Sequence, residues 1–236
     1  MSDPAPVRLP EISVFLPAFN ECENLQRMVD ACRQVLPALS DRFEIVIVDD
    51  GSRDGTGRLA EELAAQDANV RAIHHVRNLG YGAAVRSGLS ACRYQAIFFT
   101  DGDCQFDVGE LRLLIPHLAA ADIVTGYRRQ RNDPLLRRLY SRGWTWLIRC
   151  VTGVRVRDLN CAFKLFRRSA IEGLALRADG AMINAEVFAL AVRRGSTIHE
   201  VPVSHYPRVH GRQTGGNPRV ILRAFWELGT FCFRRR

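Results

Sequence analysis

No stretch of this 236-residue chain approaches the roughly 20 consecutive apolar residues that cross a bilayer as a helix, so no spanning segment is expected. No Cys-x-x-Cys pair occurs: the seven cysteines, at 22, 32, 92, 104, 150, 161 and 232, are odd in number and scattered. That disfavours a disulfide framework and a zinc site and fits a reducing cytosol. The first residues, MSDPAPVRLPEISV, lack a positive region followed by an apolar stretch, so no secretory signal is expected. Internal repeats, low-complexity tracts and linkers are also missing. Acidic residues are the scarcer charge, 25 against 33 Lys and Arg, leaving +8. A polyanionic partner follows, whether nucleic acid, anionic lipid or a phosphorylated substrate. No helix-turn-helix, zinc or RNP pattern accompanies the charge, so nucleic acid is not expected. What remains, 47% hydrophobic and 25% charged residues, is the composition of a globular protein with a full core.

Short apolar runs at 11–16, 43–49, 70–75, 95–100 and 121–126 read as strands. The run from Phe43 to Val48 is nearly continuously apolar, as expected of a strand covered on both faces. Helix-period segments at 22–36, 54–67, 80–94 and 107–120 lie between them, with Asp54 and Asp107 as N-cap candidates. Strand and helix in alternation predict an α/β, doubly wound, mostly parallel sheet with helices on both faces. The second half adds a basic helix over 134–152, a strand over 161–167, a helix over 182–194, a strand over 197–203 and a Gly-rich loop over 206–217. The organisation expected is an arm at 1–10, one domain over 11–217, and a basic amphipathic helix over 218–236.

In an open α/β sheet ligands bind beyond the carboxyl ends of the strands. Four successive strand ends carry polar residues there: Asn20 and Glu21, Asp49 and Asp50, Arg77 and Asn78, then Asp101 and Asp103. Each could merely cap the next helix, but that reading is poor for all four together. In Thr100-Asp101-Gly102-Asp103-Cys104-Gln105, two carboxylates and an amide offer hard oxygen ligands to Mg²⁺ or Mn²⁺, an ion that would neutralise a diphosphate leaving group. Small residues at Gly80-Tyr81-Gly82-Ala83 open a helix and let backbone amides approach a ligand. The glycine fingerprint of a dinucleotide site is absent after the first strand, where Pro17-Ala18-Phe19-Asn20-Glu21 stands.

These stretches together resemble the family 2 glycosyltransferases of the GT-A fold, and within them the dolichyl- or polyprenyl-phosphate sugar transferases. The resemblance covers about 11–215 and is carried by PAFNE at 17–21, VDDGSRDGT at 48–56, RNLGYGAAV at 77–85, TDGDCQ at 100–105 and RDLNCAFKLFRR at 157–168. It implies a metal-dependent, inverting transferase that uses a UDP- or GDP-linked sugar. Pro17, Asn20, Glu21, Asp50 and Asp101 would cradle the donor, with Ala18, Asp49, Asn78, Gly80 and Gly102 completing its site. Asp101, Asp103 and Gln105 would hold Mg²⁺ or Mn²⁺, Asp103 being counted with the catalytic groups. The sequence departs from the family pattern at Gly102 and Phe106, where Ala and His are frequent, and in the spacing of Arg208, Gly211 and Thr214.

The acceptor oxygen decides what else is needed. A hydroxyl requires a general base, for which Asp158 and Glu186 are the candidates, whereas a phosphate monoester is already anionic and requires cations instead. Arginines crowd 128–142, followed by Trp144 and Trp146, which suits a lipid phosphate at a membrane interface. Arg128, Arg138, Arg208 and Arg212 are the expected phosphate ligands. The final segment sets Val220, Ile221, Ala224, Phe225, Leu228 and Phe231 on roughly one face beside Arg219, Arg223 and Arg234–Arg236, the pattern of a helix lying on anionic lipid. Docking on its own domain or in a homodimer accounts for the same stripe. A peripheral position on the cytoplasmic face follows from the lipid reading. The six histidines form no metal spacing, and only His205 and His210, flanking Arg208, are expected near an anion.

Overall fold

The computed structural model describes residues 7–129, 135–208, 210 and 218–233, with backbone alone for 135–142 and 218–221. Seven strands, β1 (Leu9–Ala18), β2 (Ser40–Asp49), β3 (Val70–His74), β4 (Ala96–Thr100), β5 (Ile123–Arg128), β6 (Phe163–Arg167) and β7 (Ile198–Val203), form one sheet in the order β3-β2-β1-β4-β6-β5-β7. Only β6 runs antiparallel to its neighbours among the described pairs. This is the expected mostly parallel α/β sheet. Continuous apolar sequence makes the central strands: Ile45, Val46, Ile47 and Val48 are all fully buried, because helices cover both faces.

The helices are α1 (Cys22–Leu39), α2 (Thr56–Gln66), α3 (Tyr81–Ala91), α4 (Leu111–Leu114), α5 (Leu135–Thr152), α6 (Arg168–Ile171), α7 (Ile183–Arg193) and α8 (Pro218–Phe233). In α1 the buried Leu25, Met28, Val29, Cys32 and Leu36 recur at helical spacing and form the stripe that seats it on the sheet. Aromatic pairs lock the centre: Phe15 stacks on Phe99 at 5.0 Å, and Phe98 meets Phe163 edge-on at 4.7 Å. Burying each such ring contributes about 1.5–3 kcal/mol.

One expected element differs. The single helix over 107–120 is instead a 3-10 turn at Val108–Glu110, the short α4, and a second 3-10 stretch at Ile115–Ala119. Pro116 has no N–H to donate and crowds the preceding turn, which breaks the regular helix after Leu114. Asp107 does cap this segment, its side chain accepting from the Gly109 N–H at 2.8 Å. Register then fixes the site: Ala18 lies opposite Asp49 and Phe15 opposite Phe99, so the carboxyl ends of β2, β1 and β4 are neighbours.

Candidate active site

The β1 end turns sharply at Asn20, whose φ of 56° an Asn tolerates better than other side-chain-bearing residues. Its side-chain oxygen accepts from the Arg53 N–H at 2.9 Å, and its own N–H donates to Ser52 Oγ at 2.9 Å. Glu21 follows, its Oε2 accepting from Asn24 Nδ2 at 2.7 Å and its Oε1 from Arg208. An open cleft of about 320 Å³ is lined here by Asn20, Glu21, Cys22, Glu23, Asn24 and Asp54.

At the β2 end both acids are occupied in shaping loops. Asp49 accepts from the Ser52 N–H at 3.0 Å and lies 3.1 Å from His74 Nδ1. Asp50 accepts from the Leu79 and Gly80 N–H groups, each at 2.9 Å, and lies 2.6 Å from His75 Nδ1. The expected donor residues Asp50 and Gly80 are thus brought together, with Asp50 holding the entrance to α3. Gly80 has φ of 107°, and a Cβ there would lie 2.5 Å from the Asp179 carbonyl, so no larger residue fits. At Gly51 a Cβ would lie 2.4 Å from the Arg77 backbone, which is how closely Asn78 and its neighbours approach the β2 end.

The β4 end carries Asp101 and Asp103. Gly102 is buried beneath β1, where its Cβ would sit 3.4 Å from the Pro17 carbonyl. Asp101 Oδ1 is a buried oxygen without a hydrogen-bond partner, while Asp103 Oδ1 accepts from the Gln105 N–H at 3.1 Å. Burial raises both carboxyl groups above the ordinary range, and repulsion from Asp103 raises Asp101 further. A chain of contacts closes over this loop: Tyr206 N–H donates to the Gln105 carbonyl at 2.9 Å, Gln105 Nε2 donates to the Tyr206 carbonyl at 3.1 Å, and His205 packs edge-on against Phe106. Arg208, from the same segment, lies 3.7 Å from Asp103 Oδ2 while bonding Glu21.

Among the described residues no three His, Cys, Asp or Glu side chains form a ready metal cage. Two carboxylates and one amide fit a magnesium-type ion nonetheless, because such ions are commonly held by one or two carboxylates with phosphates and water completing the shell. An unpartnered buried carboxylate oxygen beside a second raised carboxyl is a donor set that a cation would relieve.

The expected acceptor groups are less assembled. Arg128 forms a two-pronged pair with Asp158, Nε to Oδ2 at 2.7 Å and Nη2 to Oδ1 at 2.9 Å. Arg138 has backbone alone, and Arg212 lies outside the described residues. Glu186 is buried in the first turn of α7, where Oε2 accepts from the Arg177 and Ala178 N–H groups at 2.8 Å each. His210 Nδ1 lies 3.7 Å from Glu23 Oε2. Three residues escaped sequence reasoning: Tyr81, Lys164 and Asn184. Tyr81 interacts with Asp101 and with Asn184, and Asn184 accepts from Lys164 Nζ at 3.0 Å. The legible signal was a lone lysine inside the apolar run Phe163-Lys164-Leu165-Phe166, where burial predicts a partner.

A family model described as glycosyl transferase family 2 matches residues 13–174. An undecaprenyl-phosphate 4-deoxy-4-formamido-L-arabinose transferase from Pseudomonas fluorescens is 34% identical over 221 residues, covering 91% of this chain and 62% of its own length. A dodecaprenyl-phosphate galacturonate synthase from Rhizobium johnstonii is 30% identical over 234 residues, covering 98% of this chain and 69% of its own. This chain therefore spans about two thirds of the length of these relatives. Among solved structures, glucosyl-3-phosphoglycerate synthase from Mycobacterium tuberculosis with UDP superposes at a TM-score of 0.69, with 21% identity over 94% of this chain and 80% of that one. A mannosyltransferase from Pyrobaculum calidifontis, solved with GDP-Man and Mn²⁺, superposes at 0.68 with 18% identity, over 97% of this chain and 66% of that one. At such identities the structural likeness speaks for the fold.

Proposed function

The chain belongs to glycosyl transferase family 2, and on that premise we propose that it moves a sugar from a nucleotide-sugar donor to a polyprenyl phosphate, with inversion and with a divalent cation in the donor site. The observation that carries this reading is the acidic pair at the β4 end: Asp101 Oδ1 is buried and unpartnered, and both carboxyl groups are raised by burial. Asp101, Asp103 and the Gln105 side-chain oxygen would hold Mg²⁺ or Mn²⁺. Such an ion supplies charge neutralisation to a departing diphosphate.

The remaining chemistry falls to the acceptor and the protein. An acceptor phosphate oxygen forms its bond to the anomeric carbon as the bond from that carbon to the diphosphate oxygen breaks, the electron pair leaving with the nucleotide. One displacement inverts the centre. A phosphate monoester, with a second pKa of about 6, needs no base. The two acids suited to activating a hydroxyl are engaged elsewhere, Asp158 with Arg128 and Glu186 with two backbone N–H groups, which favours phosphate over hydroxyl. Arg208, already beside Glu21 and Asp103, is the described arginine best disposed to meet phosphate oxygens. The undecaprenyl- and dodecaprenyl-phosphate acceptors named in the relatives support the same choice.

A lipid acceptor brings the enzyme to a membrane surface, and we assign that contact to the outer side of α8 and its neighbour α5. No helix among the described residues is long and apolar enough to cross a membrane. Trp146, Leu222, Phe225, Trp226 and Phe233 are exposed, Trp144 packs edge-on against Phe225 at 5.5 Å, and Arg149 on α5 is exposed as well. Ala224, Glu227 and Leu228 of α8 are buried against the domain, so the helix is docked by one face and presents apolar rings with another. A peripheral enzyme on the cytoplasmic face follows from this reading.

Incubation with UDP- and GDP-sugars, with and without a short polyprenyl phosphate and with EDTA or Mn²⁺, tests the reading by mass spectrometry. A glycosylated lipid phosphate formed only with metal is the expected product. Turnover with a lipid alcohol but never with the phosphate would replace it by the hydroxyl reading and make Asp158 the base to mutate.

A further inference from the structure

Lys164 occupies the middle of β6, opposite Phe99 of β4, and is 2% exposed. The reading above gives it nothing to do. Its ammonium donates to the Cys161 carbonyl and to Asn184 Oδ1 at 3.0 Å. It also lies over the rings of Phe99 and Phe188, at 5.3 and 5.7 Å from their centroids. Leucine or methionine would fill such a slot without the cost of burying a charge, which is tolerated only where an opposite charge lies within reach.

Two carboxylates act on this ammonium, Asp101 and Asp158. Asp158 already gives both its oxygens to Arg128, which leaves Asp101. A polar chain joins the two groups: Lys164 holds Asn184, Asn184 meets the Tyr81 hydroxyl, and that hydroxyl meets Asp101. Among the described residues around the β4 end, three carboxylates, Glu21, Asp101 and Asp103, face the largely buried Arg208 and the internal Lys164. Repulsion among the acids is therefore incompletely offset by Arg208 alone.

We infer that Lys164 is the internal counter-ion of the acidic donor site, offsetting Asp101 and Asp103 while no cation is bound and yielding that task to a divalent cation when one enters. The inference rests on the proposed reading of Asp101 and Asp103 as cation ligands. Lys164 is a positioning residue, acting on Asp101 through charge and through Asn184 and Tyr81. It has a kinetic consequence: a fixed positive charge behind the ligands weakens the hold on a metal–nucleotide product and speeds its release.

The test is titration of Mn²⁺ alone into the wild type, Lys164→Met, Lys164→Gln and Lys164→Arg, with free ion followed by electron paramagnetic resonance. The neutral variants are expected to bind Mn²⁺ about tenfold more tightly, with kcat and donor KM falling together, while Lys164→Arg stays near the wild type. Unchanged or weaker binding in both neutral variants overturns the inference. A wild type that binds no Mn²⁺ overturns the metal-site reading instead. Unfolding in EDTA then decides the counter-ion role separately: Lys164→Met should lower the midpoint less in an Asp101→Asn background than in the wild type. Equal loss in both backgrounds contradicts the pairing. If Lys164→Met alone does not fold, recovery of a folded protein on adding Asp101→Asn supports the inference, and failure of that double variant overturns it.

Discussion

Two acidic sites sit at opposite ends of the same sheet, and they are built in opposite ways. Glu44, in the lower half of β2, is buried with every oxygen engaged: Oε1 accepts from Ser13 Oγ and the Arg93 N–H at 2.6 Å each, and Oε2 accepts from Arg71 Nε at 3.0 Å. Asp101, beyond β4, keeps a buried oxygen without any partner and has a second carboxylate for a neighbour. The first arrangement ties three elements together and leaves no room for a ligand. The second leaves a binding capacity unspent and makes the fold bear the cost. A buried carboxylate serves stability when its acceptors are saturated, and it marks a ligand site when one is left open beside a like charge.

The largest expected effect comes from the open end. Asp103→Ala should lower kcat by at least about 10²-fold, the scale of losing one fixed electrostatic group in an active site, with an unchanged circular dichroism spectrum. At the saturated end the effect should move to stability. Glu44→Gln should cost about 2–3 kcal/mol in urea unfolding, since Arg71 loses its buried countercharge, while kcat/KM stays within about twofold. An equal loss of activity in Glu44→Gln would erase the contrast.

Glu227 on α8 is the intermediate case. Its Oε1 takes the Asp179 and Gly180 N–H groups at 3.1 and 2.8 Å and Arg223 Nε at 3.1 Å, while Oε2 is buried without a partner. Arg223 is shared between Glu227 and Asp179, and these bonds hold α8 to the domain. Glu227→Ala should cost about 1–2 kcal/mol and raise the proteolytic sensitivity of the last helix. The smallest effect concerns His74, which lies between Asp49 and Glu61 and whose pKa those acids raise against the opposing effect of burial. A raised histidine stabilises the fold below its unfolded value of about 6.5 and loses that contribution as pH climbs through the folded value. His74→Gln should therefore be less stable near pH 5.5 by under about 0.5 kcal/mol, given solvent screening, and equal to the wild type near pH 9.

The sheet was legible because its strands are apolar runs, and its polar edge is where those runs stop at Asn20, Asp50 and Asp101. Sequence spacing also exposed Asp101, Asp103 and Gln105, since one loop carries them all. What sequence could not reveal was how distant partners divide the charges. Asp158 and Arg128 lie 30 residues apart, and the antiparallel return of β6 beside β5 lets them pair. Asp50 was legible as a candidate site residue, yet its grip on the Leu79 and Gly80 N–H groups depends on the β2–β3 register. Lys164 was hidden for a related reason: alternation along β6 fixes which face it takes, but whether that face meets Asn184 and Asp101 depends on how α7 and β4 pack.

The contrast between the two ends is tested most directly by calorimetric unfolding of Asp101→Asn beside the wild type, in EDTA and in Mn²⁺. In EDTA the variant's midpoint reflects two opposed changes, relief of the repulsion from Asp103 and loss of the countercharge facing Lys164, so the informative quantity is the response to Mn²⁺. Mn²⁺ should raise the wild-type midpoint and leave the variant with a markedly smaller gain. A variant that gains as much from Mn²⁺ as the wild type would contradict the assignment of the β4 end as a carboxylate site held open for a cation.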